Sequence, residues 1–588
     1  MKASDLIVKE IIKASGTTKF FGYIGGMVAH LVDSIYRSDE CELVNCITEQ
    51  GAGFAADGYA RVTNKLGVVF VTSGPGATNL VTPIADCFFD SVPVLFITGQ
   101  VNSYEYNRLS IRQNGFQETD IVSVVRPITK FAKTLLNKDS IVQEIRNAIK
   151  IALTGRKGPV LLDIPMDLQR AEIDLQAVTH FDNLDIYQEN TSTSKLVQFC
   201  KSALKHSKRP LVLVGNGCRN NNTRKALQYF FTKTRIPCVE SIHGIDAVAP
   251  NYEYNLGFIG KYGERFSNHA FYNSDFLIVL GARLDICQTG AKTEFLNSKT
   301  IFQIDIDDSE IINSKFGKFV FKHDIEEFLH SFNESSIDDF QLDIAEWLSY
   351  CSTIKSEFNY MNKQFSKPNE IISQILQYTD NHSVVTYDVG QNQIWVAQSL
   401  LYRKSGFAIT SGGLGSMGFS LPAAIGASFT ADRVIAFCGD GGFQMNIQEL
   451  EVIKRRNLNI KVIVLNNNSL GMVKSFQKLY FDGRYASTFE DYSCPNIKNI
   501  GNAYGIRSVS IKSSAFNIDD ISSYLEDHEP CLIEIVFDPN STTEPRLTFG
   551  NDLSHQEPQL KNDQEINFKV NSNNLLEQTE YEFNNIFK

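Results

Sequence analysis

Short apolar runs rich in Val and Ile alternate along this chain with longer segments whose apolar residues recur at helical spacing. That alternation predicts parallel strands in sheets covered by helices on both faces. A first group of predicted strands spans residues 43–47, 68–71, 94–97 and 160–164. A polar stretch at about 182–194 separates it from a second group at 211–214, 276–280 and 301–304. A further polar region, 333–368, precedes the third group at 384–387, 434–437, 462–465 and 532–536. The expected fold class is therefore α/β, in three consecutive domains near 1–180, 195–335 and 368–540. The remainder, 541–588, is polar and rich in Asn, Gln and Glu, and reads as a loosely packed tail or lid.

Length agrees with this count, because 588 residues exceed what one core supports and roughly 150 to 200 residues make a domain. Hydrophobic residues at 43% and charged residues at 21% describe an ordinary globular protein. A net charge of -11 offers no basic field for phosphate backbones, so small molecules rather than nucleic acid are the expected partners. The 11 cysteines are odd in number and lack a paired C-x-x-C array. That argues against a disulfide framework or zinc ribbon and for a reducing cytoplasm. The first sixteen residues read as an amphipathic helix with charges distributed through it, not as a signal peptide. No run reaches the roughly 18 to 20 apolar residues that span a bilayer, so no membrane partner is expected.

The strongest local motif runs from Gly439 to Val473, GDGGFQMN through LNNNSLGMV. A buried strand would deliver Asp440 to its carboxyl end, with Gly439, Gly441 and Gly442 keeping side chains out of the way. A helix is expected to begin near Asn446, with Glu449 and Glu451 toward its start and Lys454, Arg455 and Arg456 toward its end, complementing its dipole. A second strand would bring Asn467 and Asn468 to the same crevice. Mg²⁺ takes a few protein oxygens and leaves the rest of its octahedron to phosphate and water. Asp440, the Asn467 side chain and a nearby backbone oxygen at Ser469 meet that need. Separately, the two fragments are ordinary turns. Their combination and spacing resemble the signature with which thiamin-diphosphate enzymes hold the cofactor's diphosphate through Mg²⁺.

A second motif, ITEQGAGFAADGYARVTNKLGVVFVTSGPGATN from Ile47 to Asn79, places Glu49 at a strand end before a helix packed with Gly and Ala. On position alone Glu49 is a helix-start carboxylate. The whole stretch, with TSGPGATN and the later DSVPVLFITGQ, closely resembles the pyrimidine-binding domain of acetolactate (acetohydroxyacid) synthases. The resemblance implies that Glu49 hydrogen-bonds N1′ of the aminopyrimidine and manages the proton at thiazolium C2. It implies cofactor contacts at Gly25, Pro75 and Asn79 as well.

A third motif, TSGGLGSMGFSLPAAIGA from Thr410 to Ala427, is similar to the family's S-G-G-L-G-T-M-G. It implies that the Gly415 carbonyl binds the pyrimidine amino group and that Met417 wedges between the cofactor rings. DVGQNQIW then puts Gly390, Gln391 and Asn392 near the diphosphate, where the family has Gln-His, and Met472 joins the cofactor contacts. The Asn392 departure is tolerable if that contact is made by backbone.

The resemblance covers roughly residues 1 to 540. It implies pyrimidine-binding, central and diphosphate-binding domains, and a homodimer or homotetramer whose active sites combine the first domain of one subunit with the third of another. A regulatory subunit is possible within the family. FAD is expected in the central domain, where HGIDAV, GARLD and QIDID are similar to the family's FAD-contacting segments, with Arg156, Gly281, Arg283 and Asp305 as matched positions. GNGCRN at 215–220 lacks the third glycine of a dinucleotide fingerprint.

Phe116 and Gln117 match residues lining the pocket where the first pyruvate reacts. Three positions depart from the family: Cys287 replaces an arginine that clamps the acceptor's carboxylate, Phe476 a tryptophan, and Met166 a lysine. The expected activity is decarboxylation of pyruvate, or another short 2-oxo acid, with transfer of the two-carbon unit to a carbonyl acceptor. A keto sugar is the alternative acceptor. A simple decarboxylase is disfavoured because no two histidines are adjacent. A non-catalytic regulatory homologue would be expected to have lost Glu49, Asp440 or Asn467.

Overall fold

The computed structural model describes residues 1–106, 111–174, 192–335, 342–358, 367–559 and 575–587. Most of the polar connection expected at 182–194 lies outside them, as do 336–341 and 359–366 of the second connection and 560–574 of the C-terminal stretch.

Three sheets form, each of six strands among the described residues. In the first are β1 (Lys19–Tyr23), β2 (Glu42–Asn45), β3 (Gly67–Val71), β4 (Val94–Gln100), β5 (Phe131–Thr134) and β6 (Val160–Pro165), ordered β2-β1-β3-β4-β6-β5 and parallel throughout. In the second are β7 (Pro210–Val214), β8 (Cys238–Glu240), β9 (Asn255–Phe258), β10 (Phe276–Leu280), β11 (Thr300–Asp305) and β12 (Phe319–Lys322), again parallel. Its order, β9-β8-β7-β10-β11-β12, is the 3-2-1-4-5-6 arrangement of dinucleotide-binding sheets. The third holds β13 (Ser383–Tyr387), β14 (Phe407–Ile409), β15 (Arg433–Gly439), β16 (Ile460–Asn466), β17 (Arg507–Lys512) and β18 (Cys531–Val536), ordered β14-β13-β15-β16-β18-β17. Its permutation is that of the first sheet, position for position.

The chain divides into two units. Met1–Asp185, His382–Gln393 and Ile409–Pro539 form one, carrying the first and third sheets; Ile186–Asn381, Ile394–Ala408 and Asn540–Lys588 form the other, around the second sheet. Inside the first unit, the helix Glu49–Thr63 lies against the helix Ser420–Ala427 with backbone touching backbone. A Cβ on Gly58 would come 2.2 Å from the Ala423 carbonyl oxygen, and one on Gly426 would come 1.8 Å from that of Ala55. The Gly and Ala richness of both motifs is thus what lets the two layers close.

A buried ion cluster completes the seam. The Arg61 side chain, 3% exposed, sits 2.6 Å from Asp57, 2.8 Å from Asp90 and 3.7 Å from Asp86. Arg61 Nη1 also donates to the Thr410 carbonyl at 3.1 Å, and Asp90 accepts from the Gly412 and Gly413 N–H groups at 3.2 and 2.7 Å.

Two expectations are corrected in the second unit. Part of the polar region 333–368 is the helix Ala345–Phe358, which sends Trp347, Cys351, Ile354 and Phe358 into the central core. The C-terminal stretch is not loose throughout: its helix Leu575–Phe587 packs on the helix Thr193–His206. Phe583 and Phe587 lie 5.5 and 5.9 Å, ring to ring, from Phe199. A polar composition concealed an apolar stripe.

Candidate active site

Glu49 is the first residue of its helix, launched from the end of β2 with Thr48 as the cap: Thr48 Oγ1 accepts from Gly51 N at 3.0 Å. The half-buried Glu49 carboxylate accepts from Asn79 Nδ2 at 2.9 Å. Asn79 ends the short helix Pro75–Thr78, which follows β3 and begins with an exposed Pro75. Gly76 carries no side chain beside this carboxylate, since a Cβ there would lie 3.5 Å from Glu49 Oε1. Gly25 packs on Thr72, leaving 2.5 Å for any Cβ. Gln117 has φ +66° and sits against Gly74, and Phe116 is 80% exposed.

A second group stands at the carboxyl ends of β13, β15 and β16, adjacent strands of the third sheet. Asp440 opens a helix at once (Asp440–Met445, with Gly439 at its cap) rather than preceding one near Asn446 as expected. Its Oδ2 accepts from Ser469 N at 3.1 Å, tying together the turns after β15 and β16. Asn467 Nδ2 donates to Gln391 Oε1 at 2.9 Å, so the amide oxygen of Asn467 is left for another partner. The buried Ser469 hydroxyl has no hydrogen-bond partner. Burial pushes the Asp440 carboxyl up to about 6, against neighbouring Tyr492 and backbone N–H groups that pull it down.

A buried carboxylate short of compensation beside an amide oxygen and an orphaned hydroxyl is a set that a hard divalent cation would satisfy. Among the described residues no three His, Cys, Asp or Glu side chains cluster, so a cation here would draw on amide and backbone oxygens, as Mg²⁺ accepts. The residues present fit that ion.

The Thr410–Gly418 loop faces this group. Met417 is half-buried, its Cε 3.2 Å from where a Gly441 Cβ would stand. Gly415, at φ +75°, has open space on its Cβ side, which leaves room for a ligand at its backbone. Asn392 turns its amide inward, donating to the Asp388 carbonyl at 2.8 Å and lying 2.8 Å from a Gly439 Cβ position. Gly390 takes φ +126°, and Gly471 is kept bare by Gln391, 1.9 Å from its would-be Cβ. Met472 follows it, half-buried, on the helix Gly471–Tyr480.

Two residues of this region were not singled out by sequence. Asp388 accepts from Gly418 N at 2.9 and 3.1 Å and lies 2.5 Å from a Gly442 Cβ position, holding the Met417 turn to the Asp440 turn; burial pushes its carboxyl up to about 7. Its place at a strand end was visible in DVGQNQIW. Glu449, expected to complement a helix dipole, is instead fully buried and accepts from Ile47 N and Thr48 N.

In the second unit, Gly281, Arg283 and Asp305 stand at the carboxyl ends of the neighbouring strands β10 and β11, beside Gly215 after β7. That is the switch point of the dinucleotide order. Asp305 is pushed up to about 6, chiefly by burial. Gly281 and Gly217 touch backbone to backbone, a Cβ on Gly281 coming 2.6 Å from Gly217 Cα, so strand packing already requires these glycines. The Arg283 side chain is 40% exposed and pairs with Asp285 at 3.5 Å. Arg156 belongs to the first unit, where it donates to Ser91 Oγ at 2.8 Å. Cys287 is exposed, and all eleven cysteines are free.

Three family models match the chain in order: the N-terminal TPP binding domain of thiamine pyrophosphate enzymes over residues 1–124, their central domain over 197–332 and their C-terminal TPP binding domain over 388–535. The acetolactate synthase large subunit of Lactococcus lactis subsp. lactis (strain IL1403) is 35% identical over 559 residues, covering 92% of this chain and 94% of that protein. The acetolactate synthase isozyme 2 large subunit of Escherichia coli (strain K12) is 33% identical, covering 92% and 97%. The chloroplastic acetolactate synthase of Arabidopsis thaliana is 34% identical, covering 93% and 83%.

Proposed function

Because the chain belongs to the thiamine pyrophosphate enzymes of the acetolactate synthase type, we propose that it decarboxylates pyruvate, or a similar short 2-oxo acid, and joins the two-carbon unit to a carbonyl acceptor. The observation that carries this reading is the oxygen set at the ends of β15 and β16, with its orphaned Ser469 hydroxyl and under-compensated Asp440 carboxylate. Asp440, Asn467 and the Ser469 region would hold Mg²⁺, and the Gly415 backbone and Met417 would seat the cofactor. Bound thiamine pyrophosphate supplies the electron sink for the carbon–carbon steps. Glu49 would hold and move a proton at the pyrimidine, with Asn79 orienting its carboxylate. Phe116 and Gln117 would contact the donor acid.

The strand order of the second sheet supports FAD as a further cofactor, through Gly281, Arg283 and Asp305. A homo-oligomer whose sites each draw on two subunits belongs to the same reading. A cytoplasmic location is part of it too, with a regulatory subunit as an optional partner. Among the described residues no helix is long and apolar enough to cross a membrane.

The exposed Cys287 favours a second reading of the acceptor. A thiol cannot make the bidentate charge pair that an arginine offers a carboxylate, so a ketone or aldehyde such as a keto sugar would replace the second oxo acid. Incubation with thiamine pyrophosphate, Mg²⁺, FAD and pyruvate alone, with carbon dioxide release and mass spectrometry of the product, separates these. Acetolactate as main product supports an oxo-acid acceptor. Slow turnover to acetaldehyde or acetoin supports the alternative, and no carbon dioxide at all would refute both.

A further inference from the structure

Glu449 is buried at 0% exposure, a costly place for a carboxyl group, and burial pushes it up to about 6. What offsets that cost is specific. Both carboxylate oxygens accept from Ile47 N at 3.2 Å, and Oε1 accepts from Thr48 N at 3.0 Å and Thr48 Oγ1 at 3.1 Å. These are the two residues immediately before Glu49. A Cβ on Gly51 would come 2.2 Å from Glu449 Oε1, so the helix keeps its third position bare for this carboxylate. The stretch after Glu449 grips the same strand: Arg455 Nη2 donates to the Asn45 carbonyl at 2.6 Å and Arg456 Nη2 to that of Leu43 at 3.0 Å. Thr48 already caps the helix, so helix formation alone does not call for the clamp.

We propose that Glu449 is a positioning residue for Glu49: its carboxylate holds the Ile47–Thr48 peptide in the orientation from which Glu49 meets the pyrimidine of the cofactor. The proposal rests on the acid/base role given to Glu49 above. It gives the segment after the metal-binding turn a second task, that of aiming the carboxylate on the facing layer of the same chain.

Glu449→Gln preserves shape but turns an amide NH₂ or a weaker acceptor toward two N–H donors. In the cofactor-free protein, amide hydrogen exchange of a peptide spanning residues 42–52 should speed up at Ile47 and Thr48 by about tenfold, the worth of one such bond. In the holoenzyme with thiamine pyrophosphate and Mg²⁺, hydrogen–deuterium exchange at cofactor C2 should slow by about 10- to 100-fold, the cost of misplacement on the order of an ångström. Cofactor affinity should stay within about threefold, and Glu449→Gln should add little in a Glu49→Gln background, because the first acts only through the second.

Unchanged amide exchange, or C2 exchange unaffected by Glu449→Gln while Glu49→Gln slows it, overturns the proposal alone, as do additive effects. If Glu49→Gln itself leaves C2 exchange unaltered, the acid/base reading fails and takes this proposal with it. Should Glu449→Gln not fold, Gly51→Ala pushes a methyl into Oε1 and is expected to give the same two changes; their absence is equally decisive.

Discussion

Replacing Arg61 by leucine tests the buried seam of the first unit. The variant leaves Asp57, Asp86 and Asp90 buried together, all three with side chains 0% exposed, and removes the cation at 2.6 to 3.7 Å from them. Breaking a buried ion pair by deleting one partner costs about 3 to 5 kcal/mol. Expressed in the local opening of the helix Glu49–Thr63, that is about 150- to 5,000-fold faster amide exchange. Hydrogen-exchange mass spectrometry of that helix is the assay. Trp347 and Trp395 both lie in the other unit, so their fluorescence serves as an internal control that should not move.

The pH dependence carries a sign. Burial, and then the neighbouring carboxylates, hold Asp86 well above its ordinary range, while burial raises Asp57. A group whose folded pKa is raised contributes stability at low pH that is lost as pH rises through that value. Arg61 pulls both groups back down, so its removal raises them further. The deficit of Arg61→Leu should therefore be largest at the higher pH, where the carboxyls are charged, and shrink on acidification as they take up protons. A deficit below about 1 kcal/mol at the higher pH, the level of an exposed pair, or one that grows on acidification, would refute the reasoning.

Asp440→Asn should weaken Mg²⁺-dependent binding of thiamine pyrophosphate by at least about 100-fold, measured calorimetrically with and without the metal; equal affinities in both conditions would remove Asp440 from the metal site. Phe583→Ala combined with Phe587→Ala strips two rings from the cluster around Phe199, Phe319 and Phe321. The pair should cost about 2 to 5 kcal/mol in the second unit, read from Trp347 fluorescence in urea. An unaltered midpoint would mean that the C-terminal helix is not docked in solution.

Much of the fold was legible because apolar runs such as Val94–Gln100 and Ile460–Asn466 are buried along their whole length and cannot be read otherwise. β17 escaped because its exposure alternates and it lies at a sheet edge, where RSVSIK needs only one apolar face. The turns bearing Glu49, Asp440 and Asn467 were singled out only through the resemblance of their motifs, since each alone reads as an ordinary turn or a helix-start carboxylate. Glu449 was not. Its task depends on Ile47 and Thr48, some four hundred positions away, and in one dimension a buried acceptor looks like any helix carboxylate. Of the three carboxylates around Arg61, Asp57 stands one turn away on the same helix, whereas Asp86 and Asp90 come from the later helix Val81–Asp90 and reach Arg61 only through tertiary packing.

The first and third sheets repeat one strand order, although nothing in the residues announces a repeat. Matching them strand for strand pairs the turn after β2, which bears Glu49, with the loop after β14, which bears Gly415. It likewise pairs the Gly74–Pro75 turn after β3 with the Asp440 turn after β15. One copy has kept its carboxylate behind the second strand and the other behind the third, each facing a glycine turn at the opposite address. The chain thus resolves into two editions of a single frame between which the proposed function would divide the labour, proton handling in one and ion holding in the other.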